Sequence, residues 1–300
     1  MKSRPSLLMR VVVWALMRSG SDFKGKRFIR WRRQIESRPY PSPAPVPKGL
    51  KKRYEILEQT VNGQMVFTLT PRRGKPSTHI LYTHGGAYVL PLQWINWNII
   101  QALLERTGAS MTLSTYPLAP EHTYKQAFAE LEVIYRHVSQ EHAGKAIVLC
   151  GDSSGGGLAL AQALRYRDLG LRLPDRIVLL IPWLDITLSN PGAAVVEPDD
   201  PVLGIPALVQ CGQWWAGGDD PCNPLLSPIY GNLSGLPPID IFQGTADIFI
   251  ADARKLKERV SAAGGQIQLY EYPGAFHGFM GVNSLPEARD VFERIASTLE

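Results

Sequence analysis

Ala146-Ile147-Val148-Leu149-Cys150-Gly151-Asp152-Ser153-Ser154-Gly155-Gly156-Gly157 is the stretch on which the reading of this chain turns. Its first five residues form a short apolar run that suits a buried strand, and Leu158, Ala161 and Leu164 follow at helical spacing. Between them, Gly151-Asp152-Ser153-Ser154-Gly155 matches G-x-S-x-G, a sharp strand-to-helix turn that exposes a serine hydroxyl at its tip. Such a turn needs flanking positions without side chains, because helix and strand backbones meet there. Three glycines in a helical first turn otherwise weaken the helix, so their presence calls for a steric reason. A plain Gly-rich phosphate turn fits less well, since G-x-G-x-x-G and the P-loop lysine are both missing.

A nucleophilic serine needs a base, and an acid to orient it. Enzymes built on this elbow order the three as Ser, acid, His along the chain. Of the six histidines, His79, His84, His122, His137, His142 and His277, only His277 lies beyond Ser153. It sits in Gly274-Ala275-Phe276-His277-Gly278, just past the last strand expected. Asp247 is the favoured acid, because it falls a few residues after the expected strand Ile239–Phe242 and so reaches the same sheet end. Asp252 competes but begins a helical pattern, and Asp240 lies inside the strand itself. His84-Gly85-Gly86-Ala87-Tyr88 follows the run His79–Thr83. Its glycines allow backbone N–H groups to converge on a developing oxyanion. Gly85 and Gly86, with the N–H of Ser154, are the expected donors, and His84 is expected to orient the loop through hydrogen bonds.

Outward from these motifs the chain alternates in period. Short strand-like runs at Arg53–Leu57, Met65–Thr70, His79–Thr83, Met111–Tyr116, Ala146–Cys150, Ile177–Ile181, Ile239–Phe242 and Ile267–Tyr272 are mostly separated by helical patterns. Asn62-Gly63 joins the first two runs as a hairpin. The spacing predicts a hairpin followed by a parallel, doubly wound sheet. One interval breaks the rhythm: more than fifty residues separate Ile181 from Ile239, with one short helical stretch over Ile205–Trp215. Loops of that length are usually functional.

The 300 residues, 45% hydrophobic and 20% charged, exclude a disordered chain. Three cysteines, Cys150, Cys211 and Cys222, give neither a disulfide framework nor zinc-site spacing, which suits a reducing, cytoplasmic setting. The net charge of +5 is uneven: residues 1–53 carry fifteen Lys or Arg against Asp22 and Glu36, a net of +13, leaving −8 for the rest. No helix-turn-helix, zinc-finger or RNA-binding signature accompanies this charge, so nucleic acid is the weakest partner. The apolar run Val11–Met17 is too short to span a bilayer, which takes about 20 residues. Arg10 and the lack of a cleavage site argue against a signal peptide. An amphipathic helix over Ser6–Arg18 fits better, either as a cap or as a weak membrane-surface anchor. Prolines at 39, 41, 43, 45 and 47 then form an extended connector.

Taken together, His84-Gly85-Gly86-Ala87, Tyr116-Pro117-Leu118-Ala119-Pro120-Glu121-His122 and Gly151-Asp152-Ser153-Ser154-Gly155-Gly156 resemble the hormone-sensitive-lipase-like (group IV) family of α/β-hydrolases. The likeness covers roughly Leu81 to Phe279. It implies an α/β-hydrolase fold: a mostly parallel eight-stranded sheet flanked by helices, with a helical cap. The implied organisation is a cap segment over 1–50, a catalytic core over 51–187, a cap insertion over 188–235 and the rest of the core over 236–300. It also implies a serine carboxylesterase acting on short- to medium-chain acyl esters through a Ser153-His277-Asp247 triad and an acyl-enzyme. No metal or organic cofactor is implied. Two departures stand out. Ala87 replaces the usual third glycine of the loop, and Asp247-Ile248-Phe249 replaces the family's D-P-L.

Tyr88, Trp94, Trp183, Trp214 and Trp215 are expected to wall a compact apolar pocket, and with it the family resemblance implies C2–C8 acyl chains. Lactone hydrolysis and deacetylation use the same machinery and stay open. A catalytically inactive, ligand-binding hydrolase fold is the reading from another class.

Overall fold

Strand identity follows the apolar runs, and their order in space follows from how each is connected. The computed structural model describes residues 4–299. β1 (Tyr54–Val61) and β2 (Gln64–Pro71) are antiparallel around Asn62 and Gly63, both at positive φ, as a tight primed turn requires. β2 then pairs antiparallel with β4 (Ser110–Ser114), not with its sequence neighbour β3 (Thr78–Thr83). The remaining strands are β5 (Ala146–Asp152), β6 (Arg176–Leu180), β7 (Ile239–Ala246) and β8 (Ile267–Phe276). Every pairing from β4 onward is parallel, and the sheet order is β1-β2-β4-β3-β5-β6-β7-β8. All residues of β3 and β4 are buried, as strands covered on both faces must be.

Ten α-helices and two short 3-10 turns complete the chain among the described residues. Those on the sheet are α4 (Trp94–Thr107), α5 (Tyr124–Glu141), α6 (Ser154–Asp168), α9 (Ile250–Ala262) and α10 (Pro286–Leu299). Their apolar stripes pack into separate cores, with β-strand side chains such as Val148 and Cys150 entering one and Ile147 and Leu149 another. This is the two-faced burial that period-2 alternation dictates.

The remaining helices are α1 (Leu7–Ser19), α2 (Gly25–Ser37), α3 (Lys48–Arg53), α7 (Pro191–Val196) and α8 (Ile205–Ala216). α1 is capped by the Ser6 hydroxyl, which accepts from the Met9 N–H at 3.1 Å. α2 is an addition to the sequence reading; its stripe Phe28, Trp31, Ile35 buries only one narrow face of a very basic helix. The proline connector is pinned where Trp97 Nε1 donates to the Ala44 carbonyl at 2.9 Å. Leader and insertion touch: Lys24 Nζ donates to the carbonyls of Glu197 and Asp200. A Cβ on Gly204 would come within 2.4 Å of the Phe23 carbonyl, so the two segments meet backbone to backbone.

Candidate active site

The turn between β5 and α6 holds Ser153 at φ 54°, ψ −122°, a conformation costly for any residue with a side chain. Its neighbours show how the turn is made possible. A Cβ on Gly155 would lie 2.0 Å from the Thr83 carbonyl, and one on Gly151 would lie 2.2 Å from the Gly155 carbonyl. The Ser153 N–H donates to the Leu180 carbonyl at 2.9 Å, which fixes the strained residue to the neighbouring strand end.

Two further loops meet this serine at the same end of the sheet. His277 follows directly on β8, and its Nε2 lies 3.0 Å from Ser153 Oγ. Its Nδ1 lies 2.8 Å from Asp247 Oδ2, in the loop just past β7. Asp247 is fully buried, and its other oxygen accepts the Phe249 N–H at 2.9 Å. The rivals are committed elsewhere: Asp240 pairs with Arg176 at 2.6 Å, and Asp252 accepts from Asn190 at 2.9 Å. Burial pulls the His277 imidazole down, but the charge of Asp247, with Asp200 and Asp152 beyond, outweighs it and holds the pKa above the ordinary value.

Asp200 has no counterpart in the sequence reading. It is fully buried; its Oδ1 accepts the N–H groups of Val202 and Leu203, and its Oδ2 accepts the Ile248 N–H at 3.0 Å. One carboxylate therefore ties the insertion to the loop that carries Asp247. Burial first, and the nearby Asp247 charge second, push Asp200 up to about 6.

The loop after β3 corrects one expectation. The Gly85 N–H donates to Asp152 Oδ1 at 2.9 Å, so it is not available to an oxyanion. Asp152 also accepts from Tyr82 Oη at 2.6 Å and Asn96 Nδ2 at 3.0 Å, and thus clamps the loop onto the elbow. The N–H groups of Gly86, Ala87 and Ser154 are among those of the loop and the turn that have no acceptor among the described residues. Gly86 at φ 139° and Ala87 at φ 53° turn the loop so that it lines the cavity in front of Ser153. His84 is buried; its Nδ1–H donates to the Gly85 carbonyl at 2.8 Å, and burial pulls it down to about 4, so it stays neutral. Tyr116 stacks on that ring at 4.6 Å and donates to the His84 carbonyl. His79, far along the strand, is held between Ser110 and Thr112 and belongs to the core. No cluster of three or more His, Cys, Asp or Glu side chains suited to a metal occurs among the described residues.

The family described as the alpha/beta hydrolase fold matches residues 80–281. An esterase of Acinetobacter venetianus is 32% identical over 221 residues, 72% of this chain and 73% of that protein. An acetyl-hydrolase of Streptomyces hygroscopicus is 31% identical over 216 residues, 71% of this chain and 72% of that protein. The crystal structure of an esterase from the bacterial hormone-sensitive lipase family superposes with a TM-score of 0.80 at 25% identity, covering 100% of this chain and 98% of that one. The chain belongs to the hormone-sensitive-lipase-like α/β-hydrolases. Its enzyme class is therefore that of the carboxylic ester hydrolases.

In this α/β-hydrolase the space beside Ser153 is a cavity of about 340 Å³. Its walls are largely aliphatic, and they come from three sources: Val12, Leu16 and Phe23 of the leader, Val202, Leu203 and Leu208 of the insertion, and Ile95, Ile99 and Val282 of the core. None of the five aromatic residues expected to wall it does so. Trp94 opens α4 and is 57% exposed, outside the cavity beside its lining neighbours Gln93 and Ile95. Trp215, Tyr88 and Trp183 instead stack in sequence, with ring centroids 4.4 and 5.4 Å apart, and Trp183 continues to Phe249 at 5.9 Å. Phe249 meets the edge of His277 at 5.2 Å. This buried column backs the histidine rather than facing substrate, and Trp214 packs at its periphery.

Proposed function

We propose that the chain is a serine carboxylesterase acting on short- to medium-chain acyl esters through Ser153, His277 and Asp247. The carrying observation is the unbroken line of hydrogen-bond contacts from Ser153 Oγ through both ring nitrogens of His277 to Asp247, at 3.0 and 2.8 Å. Ser153 Oγ attacks the ester carbonyl while neutral His277 Nε2 takes its proton. Asp247 fixes the tautomer with the proton on Nδ1 and stabilises the imidazolium that forms. The N–H groups of Gly86, Ala87 and Ser154 bind the tetrahedral oxyanion, with Gly85 serving Asp152 instead. His277 then protonates the leaving alkoxide, and water repeats the sequence on the acyl-enzyme.

The cavity volume of about 340 Å³ lies at the low end of ligand pockets, which run from about 300 to 1,000 Å³, and this favours short acyl groups. The leader over 1–50 and the insertion over 188–235 act together as the cap over it. Acetyl esters come first among substrates, in line with the acetyl-hydrolase relative; lactones and acetylated sugars use the same machinery and belong in the same panel. Ser153→Ala should lower kcat on the order of 10⁶-fold and abolish labelling by a fluorophosphonate probe. Retention of ester turnover near the starting level would defeat the assignment, and an unlabelled, inactive wild type would make the fold a ligand-binding one.

A further inference from the structure

Helix α1 carries apolar residues on two faces. Met9, Val12, Val13 and Leu16 face inward, and Val12 and Leu16 form part of the cavity wall. On the outward side Leu7 is 74% exposed, Val11 52%, Trp14 57% and Met17 50%. Leu7, Val11 and Trp14 fall at i, i+4 and i+7, so they form a stripe and not a scatter. A helix whose second face had only water to meet would carry polar residues there. An exposed apolar strip of this kind marks a partner surface.

Charge narrows the partner. Leu7–Ser19 contains no acidic residue, and the Arg18 guanidinium lies 4.0 Å over the Trp14 ring. The next helix, α2, adds exposed Lys26, Arg27, Arg30 and Arg33 around Ile29, itself 53% exposed. Residues 1–53 as a whole carry fifteen basic and two acidic residues. Two such surfaces from separate copies would repel each other. Stable lipid-surface binding takes an apolar face plus cations, and tryptophan suits the boundary between them. No helix among the described residues is long and apolar enough to cross a membrane, which limits the contact to the surface.

We propose that the outer face of α1, with Arg18 of the same helix and Arg27 beside its C-terminal Gly20, docks on an anionic lipid surface. The opposite face of that same helix lines the cavity, so the docked enzyme holds its acyl site about one helix diameter, ~10 Å, from the lipid. Docking itself does not depend on the ester chemistry, and its test reads binding separately from turnover.

The test is co-sedimentation of the full chain with phosphatidylcholine vesicles containing one-third phosphatidylglycerol, beside pure phosphatidylcholine vesicles. Binding should be at least tenfold weaker on the neutral vesicles and at least tenfold weaker in 0.5 M salt, where charge contacts are screened. Val11→Ser, Trp14→Ser and Met17→Ser together should weaken it at least tenfold. Hydrolysis of a water-soluble acetate ester by that variant should stay within twofold, showing that the fold is intact. Wild-type protein that ignores the anionic vesicles, or a variant that binds them as wild type does, overturns the proposal. So does a concentration-dependent dimer that the three substitutions abolish, since a second copy would then be the occupant.

Discussion

Asp200 and Asp152 are two buried carboxylates outside the Ser153, His277 and Asp247 line, and each holds a loop of the site in place through hydrogen bonds. At Asp200 the sign can be worked out. His277 lies above its ordinary value because negative charge outweighs burial, and Asp200 is one contributor to that charge. As the proposed base, His277 must be neutral, so kcat/KM should rise with pH through the raised pKa and level off above it. Asp200→Asn removes one anion and leaves a single acceptor oxygen for the Ile248 N–H on one side and the Val202 and Leu203 N–H groups on the other, so the acid limb should move to lower pH and the plateau should fall with the weakened brace. A pH–rate profile checks this, and an unmoved limb would mean that Asp200 only braces the loop. At Asp152 the expected effect is on the oxyanion loop. Asp152→Ala leaves the Gly85 N–H, Tyr82 Oη and Asn96 Nδ2 without their shared acceptor. A buried group deprived of its partner costs about 1–3 kcal/mol, roughly 5- to 150-fold if it falls on the transition state. The loss should appear in kcat more than in KM, because the displaced loop carries the donors proposed for the oxyanion.

The elbow shows at the level of elements why sequence and fold agree where they do. β5, the turn and α6 are contiguous, and Gly151 and Gly155 are required by contacts of 2.2 and 2.0 Å that a Cβ would make. Gly155→Ala should therefore lower stability by about 1–3 kcal/mol or more and reduce activity with it; thermal melting and ester turnover measured together check both. His277 was legible for a different reason, being the only histidine after Ser153. What sequence could not supply were partners fixed by distant chain segments. The capture of the Gly85 N–H by Asp152 spans 67 positions, and the Asp200 contact to the Asp247 loop spans 48. The aromatic residues mislead for a similar reason. Proximity in sequence to a catalytic loop does not say whether a ring points toward the open side of that loop or, like Tyr88 and Trp183, behind it. Helix α2 was hidden by its charge, although Phe28, Trp31 and Ile35 do repeat at helical spacing.

For the whole molecule, the question is which parts decide the substrate. The chemistry sits on the sheet, but the cavity is closed by residues from two segments far apart in sequence, Phe23 from the leader and Leu203 and Leu208 from the insertion. They hold each other through Lys24 and the backbone contact of Phe23 with Gly204. On the esterase reading proposed above, the seam between leader and insertion should limit acyl length, rather than Ser153, His277 and Asp247. With p-nitrophenyl esters from acetate to palmitate, kcat/KM should peak between C2 and C8. Phe23→Ala empties part of that seam without touching the Ser153, His277 and Asp247 contacts. It should shift the optimum toward longer chains, with a gain of roughly 10- to 200-fold for each methylene newly accommodated in full, since one methylene in an apolar pocket is worth about 1–3 kcal/mol. Turnover of acetate should fall by less than the gain at longer chains, because its acyl group does not reach the enlarged region. A wild-type maximum at palmitate, or an optimum that Phe23→Ala leaves in place, would put the limit in the core residues Ile95, Ile99 and Val282 instead of the cap.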